Sequence, residues 1–141
     1  MVLGTNTGVL HVDLTKNQVV NRIECASKVR AMLFIPDWEY LYVCTGLQLK
    51  AMKVTQKEIL KLQTKEFQST PNCLSFCSQQ QKLAVGFSYG SPNQIVMCAD
   101  QQVVKQVTDN SETLCLAWSP YLKNVLAKGS YDGSVKIIED D

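Results

Sequence analysis

The chain is short of the residues on which most chemistry depends. Its 141 residues include one histidine, His11, and its 14 Lys and Arg nearly balance its 13 Asp and Glu, leaving a formal net charge of +1. Without a strong field of either sign there is no long-range pull toward nucleic-acid phosphates or an anionic bilayer, so nucleic acid is not an expected partner. No stretch approaches the roughly 20 consecutive apolar residues of a membrane-spanning helix, so no transmembrane segment is expected. The opening MVLGTNTGVL has neither the charged head nor the long apolar run of a secretory signal. A cytoplasmic or nuclear location is therefore the expectation. There is no GxxxxGK[ST] phosphate cradle and no G-x-S-x-G elbow.

What is present suits an ordinary folded domain: 45% apolar and 19% charged residues. Six cysteines (Cys25, Cys44, Cys73, Cys77, Cys98 and Cys115) sit mostly inside apolar runs and read as reduced core thiols. Cys73 and Cys77 share one face if the segment is a strand, but at about 13 Å by the usual rise they are too far apart to share a metal. Neither a metal site nor a cofactor is expected.

The chain repeats itself. The segments VRAMLFIP (29–36), NCLSFCS (72–78) and TLCLAWSP (113–120) align on Phe34, Phe76 and Trp118, which are 42 residues apart in both steps. Leu41, Leu83 and Val125 follow the aromatic by seven residues, and Val43, Val85 and Ala127 by nine, alternating as a strand requires. A glycine comes next in each copy: Gly46, Gly86 and Gly129. A fixed period of about 40 residues points to one supersecondary unit used several times. In the central copy the pattern gives strands over Cys73–Cys77, Lys82–Gly86, Ile95–Cys98 and Val103–Val107. The first is apolar on both faces, as for the sandwiched inner strand of such a unit, and the last alternates, as for an outer one.

The C-terminal run TLCLAWSPYLKNVLAKGSYDGSVKIIED resembles the WD-repeat family of β-propellers, with Gly129, Ser130, Asp132, Gly133 and a strand over Ser134–Ile138 in the matching places. The Asp-Gly pair suits a tight hairpin turn, where glycine takes a positive φ without strain. LGTNTGVLHVD repeats the same half-unit, with Gly4 against Gly129 and Gly8 against Gly133. The likeness is degenerate. Ile138 and Glu139 stand where the family has Trp-Asp, no histidine precedes Thr113, and the other units lack the Asp-Gly turn, so their blades are expected to hold by apolar packing instead of the family's polar network. The resemblance implies an all-β fold of four-stranded antiparallel propeller blades: a half-blade at 1–24, blades at 25–68 and 69–110, and a partial blade at 111–141. It also implies a ring completed by further residues, a second copy or a partner subunit.

No constellation of nucleophile, base and orienting group emerges, so the chain is not expected to be an enzyme. His11 reads as a surface residue, and Asp13, Asp37, Asp100, Asp109 and Asp132 as turn residues bonding locally. Glu139, Asp140 and Asp141 read as a solvated acidic end. The candidate partner-binding residues are aromatics in loops, Trp38, Tyr40, Tyr89, Tyr121 and Tyr131, since aromatics over a rigid scaffold are where binding energy concentrates. Packing between blades is their plainer role. Lys50, Lys53, Lys57, Lys61 and Lys65 form a basic edge on the outer strands of one blade. Their plainer role is to discourage edge-to-edge association; the sharper one is to hold phosphoinositides or acidic peptides. The functions compatible with the sequence are a protein-interaction scaffold binding other proteins, a membrane-adaptor propeller, and an accessory domain of a larger enzyme.

Overall fold

Runs rich in Val, Ile, Leu, Tyr and Phe, broken by Asn, Gly, Ser and Gln, favour short strands joined by tight turns. The computed structural model describes residues 1–88, 92–108 and 111–140, in which fourteen strands form four antiparallel sheets. The first sheet holds β1 (Val2–Gly4), β2 (Gly8–Asp13) and β3 (Gln18–Glu24). The second holds β4 (Val29–Ile35), β5 (Tyr40–Thr45), β6 (Gln48–Val54) and β7 (Ile59–Glu66). The third holds β8 (Pro71–Cys77), β9 (Lys82–Phe87), β10 (Asn93–Met97) and β11 (Val103–Val107), and the fourth β12 (Thr113–Trp118), β13 (Val125–Ser130) and β14 (Val135–Glu139). Within each sheet the strands pair strictly in chain order.

The chain divides into two units, Met1–Phe67 with the first two sheets and Gln68 onward with the last two. In the first unit Val9 and Ile23 pack against Leu41, Val43, Met52, Val54 and Ile59. In the second, Leu116, Leu126 and Ile138 pack against Ala84, with Cys73, Val107 and Trp118 at the margin. Each core is thus the meeting of one face of one sheet with one face of the next, the stacking by which repeats bury what no single repeat could.

Strand pairing corrects the repeat register in the last copy. Phe34 lies opposite Leu41 and Phe76 opposite Leu83, but Trp118 lies opposite Leu126, not Val125. The turn of the last repeat is one residue longer. The left-handed turn residues agree, since Glu39 (φ 56°), Gln81 (φ 54°) and Asn124 (φ 63°) each stand two residues before those leucines. In this register Lys128, not Ala127, is the counterpart of Val43 and Val85. All three are 0% exposed. A lysine therefore occupies a core position that the second and third sheets fill with valine.

The inner strands are also less buried than their apolar composition suggested. β8 is mostly half-buried, whereas β9 is buried over Leu83–Phe87. A first strand has a hydrogen-bonded neighbour on one side only, and the second strand, flanked on both sides, takes the centre of the core.

Candidate interaction surfaces

The candidate aromatics separate into different roles. Trp38 ends a short 3-10 turn (Pro36–Trp38) and stacks edge-on against Tyr40 at 6.2 Å between ring centres; Tyr40 in turn meets the fully buried Tyr42 at 6.5 Å. Both candidates are half-buried members of an aromatic ladder that leads into the core. Tyr121 is 91% exposed in the turn before β13, and Tyr131 is 66% exposed in the turn after it. A six-residue strand separates them by about 20 Å, so they do not form one patch. Tyr89 lies outside the described residues, as do Asp109 and Asp141.

The five lysines occupy β6, β7 and the turn between them. Direct cross-strand partners share a face, which puts Lys50 with Val43 and Lys61 with Met52 on one face, and Lys53 with Tyr40 and Lys65 with Leu49 on the other. Lys57 sits in the turn. Lys65 Nζ lies 5.8 Å from the centre of the Phe67 ring. The basic edge is thus split across both faces of the sheet.

His11 is not an ordinary surface residue. It is half-buried on β2 opposite Val2, and its Nδ1 is shut off from solvent with no hydrogen-bond partner among the described residues. It lines a cleft of about 520 Å³ in the first unit together with Val2, Met32, Phe34, Leu41 and Val54. Phe34 is 46% exposed there. A lone histidine in a strand carries no signal of this in the sequence, because it depends on what faces β1 and β2.

In the acidic end Glu139 is exposed, but Asp140 is not solvated. Asp140 keeps 3% of its side-chain exposure, its Oδ2 lies 2.8 Å from Lys82 Nζ, and its Oδ1 lies 3.9 Å from Lys105 Nζ. Lys105 also donates to the Glu139 carbonyl at 2.5 Å. These contacts tie the third sheet to the end of the fourth. Other polar links join the same sheets: Thr113 Oγ1 donates to Asn93 Oδ1 (2.7 Å), Asn72 Nδ2 to Glu112 Oε1 (2.7 Å), and Trp118 through its amide to Ser75 Oγ (3.0 Å) and through Nε1 to Ser75 O (3.2 Å). The expectation that packing replaces a polar network is thus corrected: the second unit has one, built from different residues.

Three of the turn aspartates, Asp13, Asp100 and Asp132, bond locally. Asp13 Oδ1 accepts from the Thr15 amide (2.9 Å) and hydroxyl (2.7 Å), and the Thr15 hydroxyl bond is the leading cause that holds its carboxyl below the ordinary range. Asp132 Oδ1 accepts from the Ser134 amide (2.9 Å) and hydroxyl (2.6 Å), and Gly133 follows at φ 82°. Asp100 Oδ1 accepts from the Gln102 amide (3.0 Å). Among the described residues no three His, Cys, Asp or Glu side chains converge as a metal site would need. Burial, reinforced by Cys115, pushes the Cys73 thiol up to about 11.

The fourth sheet carries an open surface that the loops did not announce. Cys115, Gly129 and Val135 are cross-strand partners, and so are Ala117, Ala127 and Ile137; they share the face of the fourth sheet opposite the Leu116–Leu126–Ile138 core. Val135 is 75% exposed and Ile137 65%. Small residues in the centre and branched ones on β14 give a shallow apolar face, charged only at Glu139 beside Val125. Such contiguous apolar surface marks sites of association.

No protein-family model matches the chain, and no curated protein matches it. Solved structures do. The Cps50 (Swd1) β-propeller domain of Myceliophteria thermophila superposes with a TM-score of 0.86 at 13% identity, over 99% of this chain and 50% of that one. The computationally designed Ika4 protein gives 0.80 at 18% identity over 99% of this chain and 84% of that one. Kuenenia stuttgartiensis hydrazine synthase gives 0.77 at 17% identity over 94% of this chain and 40% of that one. The chain has the fold of β-propeller blades, and it spans half the length of the Cps50 domain. At these identities the likeness fixes architecture and not activity. Among the described residues no helix is long and apolar enough to cross a membrane.

Proposed function

We propose that this chain is a non-catalytic, WD-repeat-like propeller segment that works as a protein-interaction scaffold in a larger cytoplasmic or nuclear assembly. On this reading the chain holds part of a blade at 1–24, with three strands where two were expected, blades at 25–68 and 69–110, and a partial blade at 111–141. The observation that carries this reading is the open face of the fourth sheet, where Val135 and Ile137 stand exposed beside Ala117 and Ala127. Leu41 and Val43 of the second sheet pack against Val9 and Ile23 of the first, and Leu116 and Leu126 of the fourth against Ala84 of the third; an exposed face of similar composition calls for similar cover. Tyr131 is exposed in the turn between β13 and β14. The GSYDG turn supports the family reading, because Asp132 and Gly133 adopt the bonding and the positive φ which that motif serves.

A photo-crosslinking residue placed at Ile137, at Tyr131 and, as a control, at the exposed Lys16 tests it in living cells. The reading expects discrete adducts of defined mass from positions 137 and 131, and none from 16. Equal, diffuse crosslinking from all three would remove its support.

A further inference from the structure

The outer strands β3, β7 and β11 share one irregularity. In each, a single residue has no partner on the neighbouring strand: Val20, Leu62 and Val104, spaced by the repeat period of 42. These are one-residue bulges, which bend a strand and re-aim its side chains. All three bulge residues are exposed. What differs between the sheets is the charge beside them. On β3, Arg22 reaches the Thr7 hydroxyl (3.2 Å), and on β11, Lys105 is held by Asp140 and the Glu139 carbonyl. On the second sheet none of Lys50, Lys53, Lys57, Lys61 and Lys65 forms an ion pair among the described residues. Residues 50–66 hold five of the chain's 14 Lys and Arg and two of its 13 Asp and Glu. This hairpin is therefore net positive, and the rest of the chain net negative.

The lysines fall on both faces of the sheet, and both faces meet at the edge of β7. That edge is free because the strands pair in chain order and β7 is the outermost of its sheet. The Thr55 amide donates to the Glu58 carbonyl (2.9 Å) across the turn. By antiparallel alternation Lys53 and Leu60 then exchange backbone bonds, and the N–H and C=O groups of Ile59 and Lys61 point away from β6. Lys61 is exposed, as are Leu60 and Leu62 on either side of it. Lysines along an edge repel chance pairing, and a partner of opposite charge turns that repulsion into selectivity. A lipid surface fits less well. Unpaired backbone groups are costly against hydrocarbon, and Glu58 and Glu66 at the two ends of β7 meet anionic headgroups with like charge. A short extended polypeptide satisfies the backbone and lies between the two carboxylates.

We propose that the outer edge of β7 docks an acidic, extended segment of a partner polypeptide, antiparallel to the strand. Direct cross-strand partners share a face, so the segment sets a carboxylate opposite Lys61 and an apolar side chain opposite Leu60, an alternation of acidic and apolar residues. Main-chain bonds to Ile59 and Lys61 supply affinity, and Lys57 and Lys61 supply selectivity, as in other strand additions to a sheet edge. The site lies on the second sheet and does not rest on the fourth-sheet face.

The test is titration of the 15N-labelled chain with a heptapeptide of alternating glutamate and valine. The expected result is saturable binding with amide shifts centred on Ile59, Leu60, Lys61 and Leu62, and binding at least tenfold weaker for the same peptide with lysine in place of glutamate. Lys57→Glu with Lys61→Glu changes two exposed side chains and is expected to lose at least tenfold in affinity, with an unchanged amide spectrum elsewhere confirming the fold. Should that variant not fold, the peptide carries the test: N-methylation of its glutamates, whose N–H groups face β7, is expected to abolish binding, and N-methylation of its valines to leave it. No saturation at millimolar peptide, shifts centred elsewhere, or equal binding of the lysine peptide overturns the proposal. Shifts at the same amides with phosphatidylserine–phosphatidylcholine vesicles and none with peptide would assign the edge to a lipid surface, and would overturn it too.

Discussion

Lys82 and Asp140, 58 positions apart, form a 2.8 Å ion pair that fastens the start of β9 to the residue after β14, with the carboxylate almost wholly removed from water. Removing one partner of a buried pair leaves a desolvated charge, whereas replacing both with apolar groups does not. Asp140→Leu alone is therefore expected to destabilise the chain by about 3 kcal/mol, and Lys82→Met with Asp140→Leu by much less. Urea unfolding of the four members of the double-mutant cycle checks this, and additive effects would show the pair to be inert.

Lys128 holds a valine's place in the core and reaches the Ser111 carbonyl at 3.5 Å. Lys128→Ala is expected to lower stability by about 2 kcal/mol, since it deletes the buried stem and takes the donor from the Ser111 carbonyl. Chemical denaturation measures the change, and an unchanged stability would mean that the lysine adds nothing to the core.

Gly86 has no room for a side chain: an added Cβ would meet Cys73 Sγ at 2.5 Å and Thr113 Cγ2 at 2.6 Å. Gly86→Ala is expected to lower stability by about 2 kcal/mol through overpacking, and Cys73→Ala in the same chain to restore part of it. Thermal melts of the single and double variants decide it.

The Cys73 thiol, raised from its ordinary 9.0 to about 11, holds its proton longer in the folded chain than in the unfolded one. The stability it contributes is thus complete below pH 9 and is lost as pH rises toward 11. In the folded protein Cys73 should alkylate far more slowly at pH 8 than the exposed Cys115, with its rate levelling off only near pH 11. Peptide mapping after timed alkylation gives both rates from one sample.

Much of the fold was legible because strand period and repeat period act on the backbone locally. The spacing of Phe34, Phe76 and Trp118 located three inner strands, and the Asp132–Gly133 turn was readable because a tight hairpin demands those residue types. The one-residue slip at Leu126 was not readable. The insertion falls in the polar turn Ser119–Asn124, where no hydrophobic alternation marks the count. The slip matters: it hid Lys128 in the core. Asp140 and His11 were misread for a shared reason, since their surroundings come from residues distant in sequence, Lys82 and Lys105 for one, and Met32 and Phe34 for the other. Loop aromatics drew attention as sites, yet Trp38 packs on Tyr40 and Tyr40 on Tyr42. The exposed face at Val135 and Ile137 went unnoticed, because alternation cannot say which faces of a sheet another sheet will cover.

The most direct test of the scaffold account uses the fourth sheet's own thiol. Cys115 lies on the open face, across Gly129 from Val135, and is exposed, so its labelling by a bulky maleimide reports cover without any substitution. The account predicts rapid labelling of the purified chain and labelling at least tenfold slower for the protein in a gentle extract of the cells that make it, with the fast rate recovered when dilute urea loosens the apolar contact. Equal rates in all three samples would contradict it.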